Sequence, residues 1–142
     1  MQNVGRALLF GPLPIRIMVG ITFMVHGHPK LMDIAGTQGF FAKIGLPTEL
    51  AAPIALLEFI GGLVLILGVL TRISSGLLVA EMVGATLAVK LSKGFVGGFE
   101  FELLLLAGAV TLLITGPGRV SIEWDVIKRE ILPSGKKLVA QA

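Results

Sequence analysis

The chain contains no cysteine and no tyrosine, a single tryptophan, and few charges, 15% of its 142 residues. Without cysteine it can form no disulfide, bind no metal through thiolate and run no dithiol redox cycle. The lack of tyrosine leaves Trp124 alone for the aromatic belt that usually marks membrane–water boundaries. The low charge is more telling, because a soluble domain carries about a quarter charged residues. Apolar residues take that place: 54% are hydrophobic and the mean hydropathy is +0.91. Such an excess points to lipid as the solvent. The pI of about 9.6 does not argue for nucleic acid, since the basic residues gather on no amphipathic or repeated element. Orientation in a membrane accounts for them better.

A membrane helix needs roughly 20 mostly apolar residues. Four segments qualify: Pro12 to about Lys30, Leu50 to Leu70, Ile73 to Leu91, and Phe101 to Thr115. The last is short and is expected to gain length from Phe95 to Glu100. Pro12 and Pro14 fit a helix start, where N–H groups lack partners anyway. They also interrupt the apolar core that a cleaved leader would need, as does Arg16, so a retained helix is expected. The short "TRIS" linker forces the middle two segments into an antiparallel hairpin. The expected fold is therefore all-α, an integral membrane antiparallel four-helix bundle spanning residues 1–116. A cytoplasmic amphipathic tail over 117–142 follows, its apolar residues spaced between charges and anchored by Trp124.

Positive charge orients the bundle. Arg6, Arg72, Arg119, Lys128, Arg129, Lys136 and Lys137 fall on the side of the termini; Lys30, Lys43, Lys90 and Lys93 fall on the other. The excess places both termini in the cytoplasm of a multi-pass protein of the cell (inner or plasma) membrane. The external connection "LMDIAGTQGFFAKIGLPTE" is too apolar for a solvated loop and is broken by Gly36, Gly39, Gly45 and Pro47. It reads as a short outer-face half-helix between the first two spans, a lid over whatever lies beneath.

Charges inside a span cost about 2.5–3.5 kcal/mol each on insertion scales, so they normally face a bundle interior. Arg16, Glu58, Glu81 and Glu102 are such groups. Glu58 lies about 12 Å of helix beyond Leu50, near mid-membrane, and Glu81 reaches a similar depth from Ile73. Gly61, Gly62 and Ala55 share the face of Glu58, while Gly84, Ala85 and Ala88 share that of Glu81. Small residues let helices approach, so both carboxyls are expected at helix contacts. Two readings stand for Arg16 and Glu58: an ion pair that fixes packing, or a part in chemistry. Glu81, with Gly84 and Ala88, is a candidate contact for a partner subunit.

Both histidines stand in "VHGHPKL", two residues apart. On a helix their rings point about 200° apart, and no third nitrogen or any sulfur ligand exists, so neither a metal nor haem is expected. Gly27 and Pro29 are expected to end the helix here, with Lys30 favourable beside its negative end and His28 outside helical geometry. His26, one turn deeper, needs a polar partner. The expected arrangement sets it opposite Glu102, across a small polar cavity roofed by "GFFAKIGLP".

With Arg16, "HGHPKL", "GFFAKIGLP", "ALLEFIGGLVLILGVLTR", "KGFVGGFEFELLLL" and "GPGRVSIEWD" in order, the sequence resembles the DoxX family of small four-helix membrane proteins over about Ile15 to Asp125. The resemblance implies a link to membrane oxidoreductase systems, including DoxD-type subunits of thiosulfate:quinone oxidoreductase. It also implies that Arg16, His26, Lys30, Glu58 and Glu102 occupy recurrent polar positions, whereas Glu81 matches no family motif and Lys90 stands where many relatives carry histidine. The expected function is thus a membrane subunit of a quinone-linked oxidoreductase system, with no covalently bound cofactor. Arg16, His26, Lys30, Glu58 and Glu102 would bind the ligand, and His26, Glu58 and Glu102 would handle protons. The alternatives are a non-catalytic structural or assembly subunit of a larger membrane complex, and a small-molecule or lipid carrier. The expected partners are the bilayer, other membrane subunits and further copies of the chain, with no nucleic acid.

Overall fold

A computed structural model of the chain describes residues 9–133, 135, 137 and 138. The chain is all-helical: among the described residues there is no strand, only an isolated bridge between Arg129 and Lys137. Its helices are α1 (Pro12–Met32), α2 (Ile34–Lys43), α3 (Ala51–Leu67), α4 (Thr71–Ala85) and α5 (Glu100–Thr115). A tight turn, Thr48–Leu50, leads into α3; α4 runs on through a wide π turn, Thr86–Lys90, and a tight one, Leu91–Lys93. Among the described residues three stretches are long and apolar enough to cross a membrane: Thr48–Leu67, Thr71–Lys93 and Phe95–Thr115. The last gains its length from the residues before Glu100, as expected. Helix α1 is 21 residues long but carries Arg16, Lys30 and both histidines, and it is not among the three.

The closest helix pairing, α1 against α3, is built on missing side chains. A Cβ added at Gly20 would lie 2.7 Å from the Gly62 carbonyl oxygen, and one at Gly27 would lie 2.6 Å from the Phe59 nitrogen. Small residues at these points let two backbones touch, the usual basis of helix association in lipid. The order of these contacts, Gly20 with Gly62 and Gly27 with Ala55 to Phe59, makes the two helices antiparallel. Val19, Phe23, Leu65, Leu78, Met82 and Leu112, drawn from α1, α3, α4 and α5, fill the centre. Large apolar side chains such as Met18, Val25, Ile60, Leu77, Leu104 and Ile114 face outward instead. Small and polar groups inside with bulky apolar groups outside is the arrangement of a protein dissolved in lipid.

Several expectations shift. Helix α1 does not end at Gly27 or Pro29: His28 is helical and exposed, and the helix closes when the Asp33 N–H bonds the Pro29 carbonyl at 3.0 Å. Proline this near a C-terminus removes only one backbone bond, which leaves the helix able to continue. Gly27 serves instead as a packing notch against Glu58 and Phe59. The α3–α4 turn falls at Gly68–Leu70, upstream of "TRIS", because Gly68 adopts the left-handed cap (φ 66°) that ends α3. The connection after α1 does contain a ten-residue helix, α2, which starts at Ile34 where Asp33 caps the Gly36 N–H at 2.9 Å.

The tail differs most. Its described part folds back over the chain end of the bundle. The Arg119 N–H bonds the Leu9 carbonyl, and the Glu123 N–H bonds the Gly68 carbonyl. Ser121, Glu123 and Glu130 are buried, so part of the expected amphipathic tail packs on the bundle, while Val126, Ile127 and Leu132 stay exposed. Arg6 and Lys136, which entered the charge count, lie outside the described residues.

Candidate functional site

Charged side chains collect at two places. At the tail end, Arg16 is fully buried and donates to the carbonyls of Pro117 and Val120. Arg72 donates to the carbonyls of Leu113 and Ile114 at the end of α5 and pairs with Glu130. Glu123, 0% exposed, accepts from the Leu70 N–H at 2.9 Å and the Ile131 N–H at 3.3 Å. Burial pushes the Glu123 carboxyl above its ordinary range, against the lowering effect of those N–H groups. The expected contact of Arg16 with Glu58 is not made. Arg16 stands about four turns from Lys30 along α1, and backbone oxygens of the tail take its charge. Arg16 is thus held by the tail and is not among the residues that line the cavity at the other end.

At the other end the helices part around a cavity of about 480 Å³. Helix α1 supplies Phe23, His26 and Lys30; α3 supplies Ile54 and Glu58; α4 and its wide turn supply Glu81, Gly84, Ala85, Val89 and Lys90; α5 supplies Phe101, Glu102 and Leu105. Phe40 and Phe41 of α2, with Ile44 and Leu46 just after it, complete the wall. The expected lid segment thus does line a cavity containing His26, Lys30, Glu58 and Glu102.

The polar groups are paired in part. The Lys30 ammonium sits 2.5 Å from Glu58 Oε1, and the Lys90 ammonium sits 3.0 Å from Glu102 Oε1. Glu58 is 3% exposed. Its Oε2, and the Oε2 atoms of Glu81 and Glu102, receive no hydrogen bond from any donor among the described residues. Glu81 lies within hydrogen-bonding reach of Glu58. The His26 ring packs 6.0 Å from that of Phe101, which puts it beside α5 as expected, but Glu102 takes Lys90 as its partner. Lys30, expected as a helix-end cation, does stand in the last turn of α1, yet its charge goes into the cavity.

Two residues were missed as members of this group. Lys90 arrives through the π turn, a wide-turn feature often found at functional positions, for which the sequence gives no clear sign. Glu81 had a usable signal: its depth in the span equals that of Glu58. Gly84 lines the cavity too, while Ala88 is exposed on the outer surface.

The fold and the cavity define a helical membrane protein with an internal polar chamber walled by apolar residues. The DoxX family model matches residues 11–91, from the start of α1 through α4. A Bacillus subtilis (strain 168) protein, "Putative oxidoreductase CatD", is 38% identical over 125 residues, covering 88% of this chain and 93% of its own. The "Uncharacterized membrane protein Rv3486" of Mycobacterium tuberculosis is 36% identical, covering 81% of this chain and 80% of its own. The "Inner membrane protein YqjF" of Escherichia coli (strain K12) is 36% identical, covering 80% and 89%. The chain belongs to the DoxX family. No solved structure gave a significant match.

Proposed function

We propose that the protein is a membrane subunit of an oxidoreductase system and that its cavity binds a neutral amphiphile of the quinone class. The observation that carries this reading is the cavity itself: an apolar wall of Phe40, Phe41, Ile54 and Leu105 around Lys30, Glu58, Glu81, Lys90, Glu102 and His26. A quinone needs an apolar slot for its ring and donors at its carbonyl oxygens, and the two lysines and His26 are donors. Protons accompany its reduction, and the carboxyls can exchange them. The relative named as an oxidoreductase supports the class of reaction.

In this reading α1 is a fourth span, its charges tolerated because the tail and the cavity take them up. Both termini face the cytoplasm, and α2 lies at the outer face as a half-helix covering the cavity. Cysteine is absent from the natural chain, so single cysteines at Lys43 and Lys128 can be probed without background. They are expected to react with an impermeant reagent from opposite sides of the membrane. Reaction of both from outside intact cells overturns the topology.

Ligand binding is tested by equilibrium dialysis of the detergent-solubilised protein against a short-tailed benzoquinone. Binding is expected in the natural chain, and His26→Phe and Lys30→Gln are each expected to weaken it about tenfold, the size of one lost hydrogen bond. Equal binding by all three proteins rejects the site and favours a structural or assembly role, for which the exposed Ala88 beside Gly84 offers a helix-packing surface.

A further inference from the structure

Glu81 is the cavity carboxylate with no cation of its own. Lys30 is held by Glu58 and Lys90 by Glu102, and no ammonium among the described residues makes an ion pair with Glu81. Its neighbour is another acid, since the Glu58 carboxyl lies within hydrogen-bonding reach. Glu58 Oε2 and Glu81 Oε2 are buried and receive no hydrogen bond from a donor among the described residues. Two ionised carboxylates in contact, away from water, repel each other and leave both inner oxygens unpaired. One proton between them turns the same contact into a short charge-assisted O–H···O bond.

We propose that Glu58 and Glu81 share a single proton and act together as the proton-exchanging station of the cavity. The charge inventory agrees. Three carboxyls and two ammoniums line the cavity, so one shared proton makes the set neutral while His26 is neutral. The groups facing the pair are Lys30 and His26 from α1, Lys90 from the wide turn and Glu102 from α5. Lys30, already on Glu58 Oε1, balances the negative charge that the singly protonated pair retains. When a ligand hydroxyl gives up a proton, the pair can accept it and become doubly protonated; the ligand oxygen keeps the electron pair of its O–H bond, and Lys30 is then free to face it. The exchange rests on the quinone-class reading of the cavity, whereas the shared proton does not.

Infrared spectroscopy of the purified, ligand-free protein in lipid tests the pair directly, because protonated and ionised carboxyls absorb separately. Glu81→Gln keeps an amide beside Glu58 and removes the acid. At neutral pH the natural-minus-Glu81→Gln difference spectrum is expected to contain one protonated-carboxyl carbonyl band that shifts in heavy water. The natural-minus-Glu102→Gln difference is expected to contain carboxylate bands alone. The difference format cancels any band from Glu123, which is buried at the far end. No protonated band in the first difference, or an equal one in the second, overturns the proposal whatever the dialysis result. Failure of quinone binding with the band present leaves the proton pair standing and removes the quinone reading only.

Discussion

The two ends of the bundle bury the same kinds of side chain and treat them in opposite ways. At the tail end, arginines and glutamates mostly meet backbone: carbonyls of Pro117, Val120, Leu113 and Ile114 take the guanidiniums, N–H groups of Leu70 and Ile131 serve Glu123, and Arg72 also pairs with Glu130. At the cavity end, lysines and glutamates pair directly with one another in the cavity wall. The first arrangement consumes charge to fix the chain. The second sets Glu58 and Glu102, each with one oxygen that receives no hydrogen bond among the described residues, in the wall of a cavity. A buried charge in a span is therefore not by itself a site; what surrounds it decides.

The sharpest way to break this contrast is to remove the charge that the tail end depends on. Arg16→Ala strands the Pro117 and Val120 carbonyls, the first of them buried, and opens the space of a fully buried side chain. A loss of about 3 kcal/mol in stability is expected, from charge-assisted bonds left unmade. Thermal melting of the detergent-solubilised protein measures it, with quinone dialysis on the surviving folded fraction unchanged. Loss of binding without loss of stability would move Arg16 back into the site.

A somewhat smaller effect is expected from the α1–α3 contact that sets the cavity floor. Gly27→Ala forces a Cβ to within 2.6 Å of the Phe59 nitrogen and 2.8 Å of Glu58 Cβ. Overpacking of this kind costs about 1–3 kcal/mol. Because Glu58 sits at the contact, the variant is expected to lower both melting temperature and quinone affinity. A change in neither would show that the helices can part without cost.

The third test concerns partners. Lys30 and Glu58 are in contact, so a double-mutant cycle of Lys30→Gln and Glu58→Gln is expected to be non-additive by about 1 kcal/mol. The matching cycle of Arg16→Ala with Glu58→Gln is expected to be additive, since they share no partner. Coupling in the second cycle and none in the first would exchange the roles of the two cations.

How much of this was readable follows from which partners are side chains. The depth of Glu58 and Glu81 could be counted from the span ends, and the apolar, glycine-broken connection signalled a helix, α2, against the cavity. Membrane character and helix positions followed from hydropathy, to within a few residues at the α3–α4 turn. The partner of Arg16 could not be read, because carbonyl oxygens are present at every residue and leave no mark in the sequence. The same holds for Glu123, whose donors are backbone N–H groups. "GPGRVSIEWD" looks like an amphipathic tail for that reason: the partners of Ser121 Oγ and Glu123 Oε1 are backbone groups rather than complementary side chains. Pro29 misled in a different way, since its rule concerns helix interiors and it stands only three residues before the last residue of α1.

The smallest expected effect separates the ends by pH. Glu123 is held above the ordinary carboxylate range chiefly by burial; Glu130 nearby adds to the rise, and the N–H groups of Ile131, Leu70 and Thr71 oppose it. A carboxyl whose folded form holds its proton more tightly than the unfolded form stabilises the fold most at low pH. That contribution is complete below the ordinary carboxyl value of 4.5 and is lost as pH rises from there through the raised folded value. Melting temperature is therefore expected to fall modestly as the medium passes from acid toward neutral. Glu123→Gln keeps an acceptor for the Leu70 N–H and removes the titration, so its melting profile should be flatter over the same interval. The infrared bands of the Glu58 and Glu81 pair are expected to be identical in this variant, because the two ends share no hydrogen-bonded partner. A stability profile that rises over that interval, or a variant as steep as the natural chain, would mean that Glu123 is ionised in the folded protein and that the tail lock is an ionic one. A changed infrared spectrum would mean instead that the two ends are energetically joined through the bundle, and the division between a structural end and a ligand end would have to be given up.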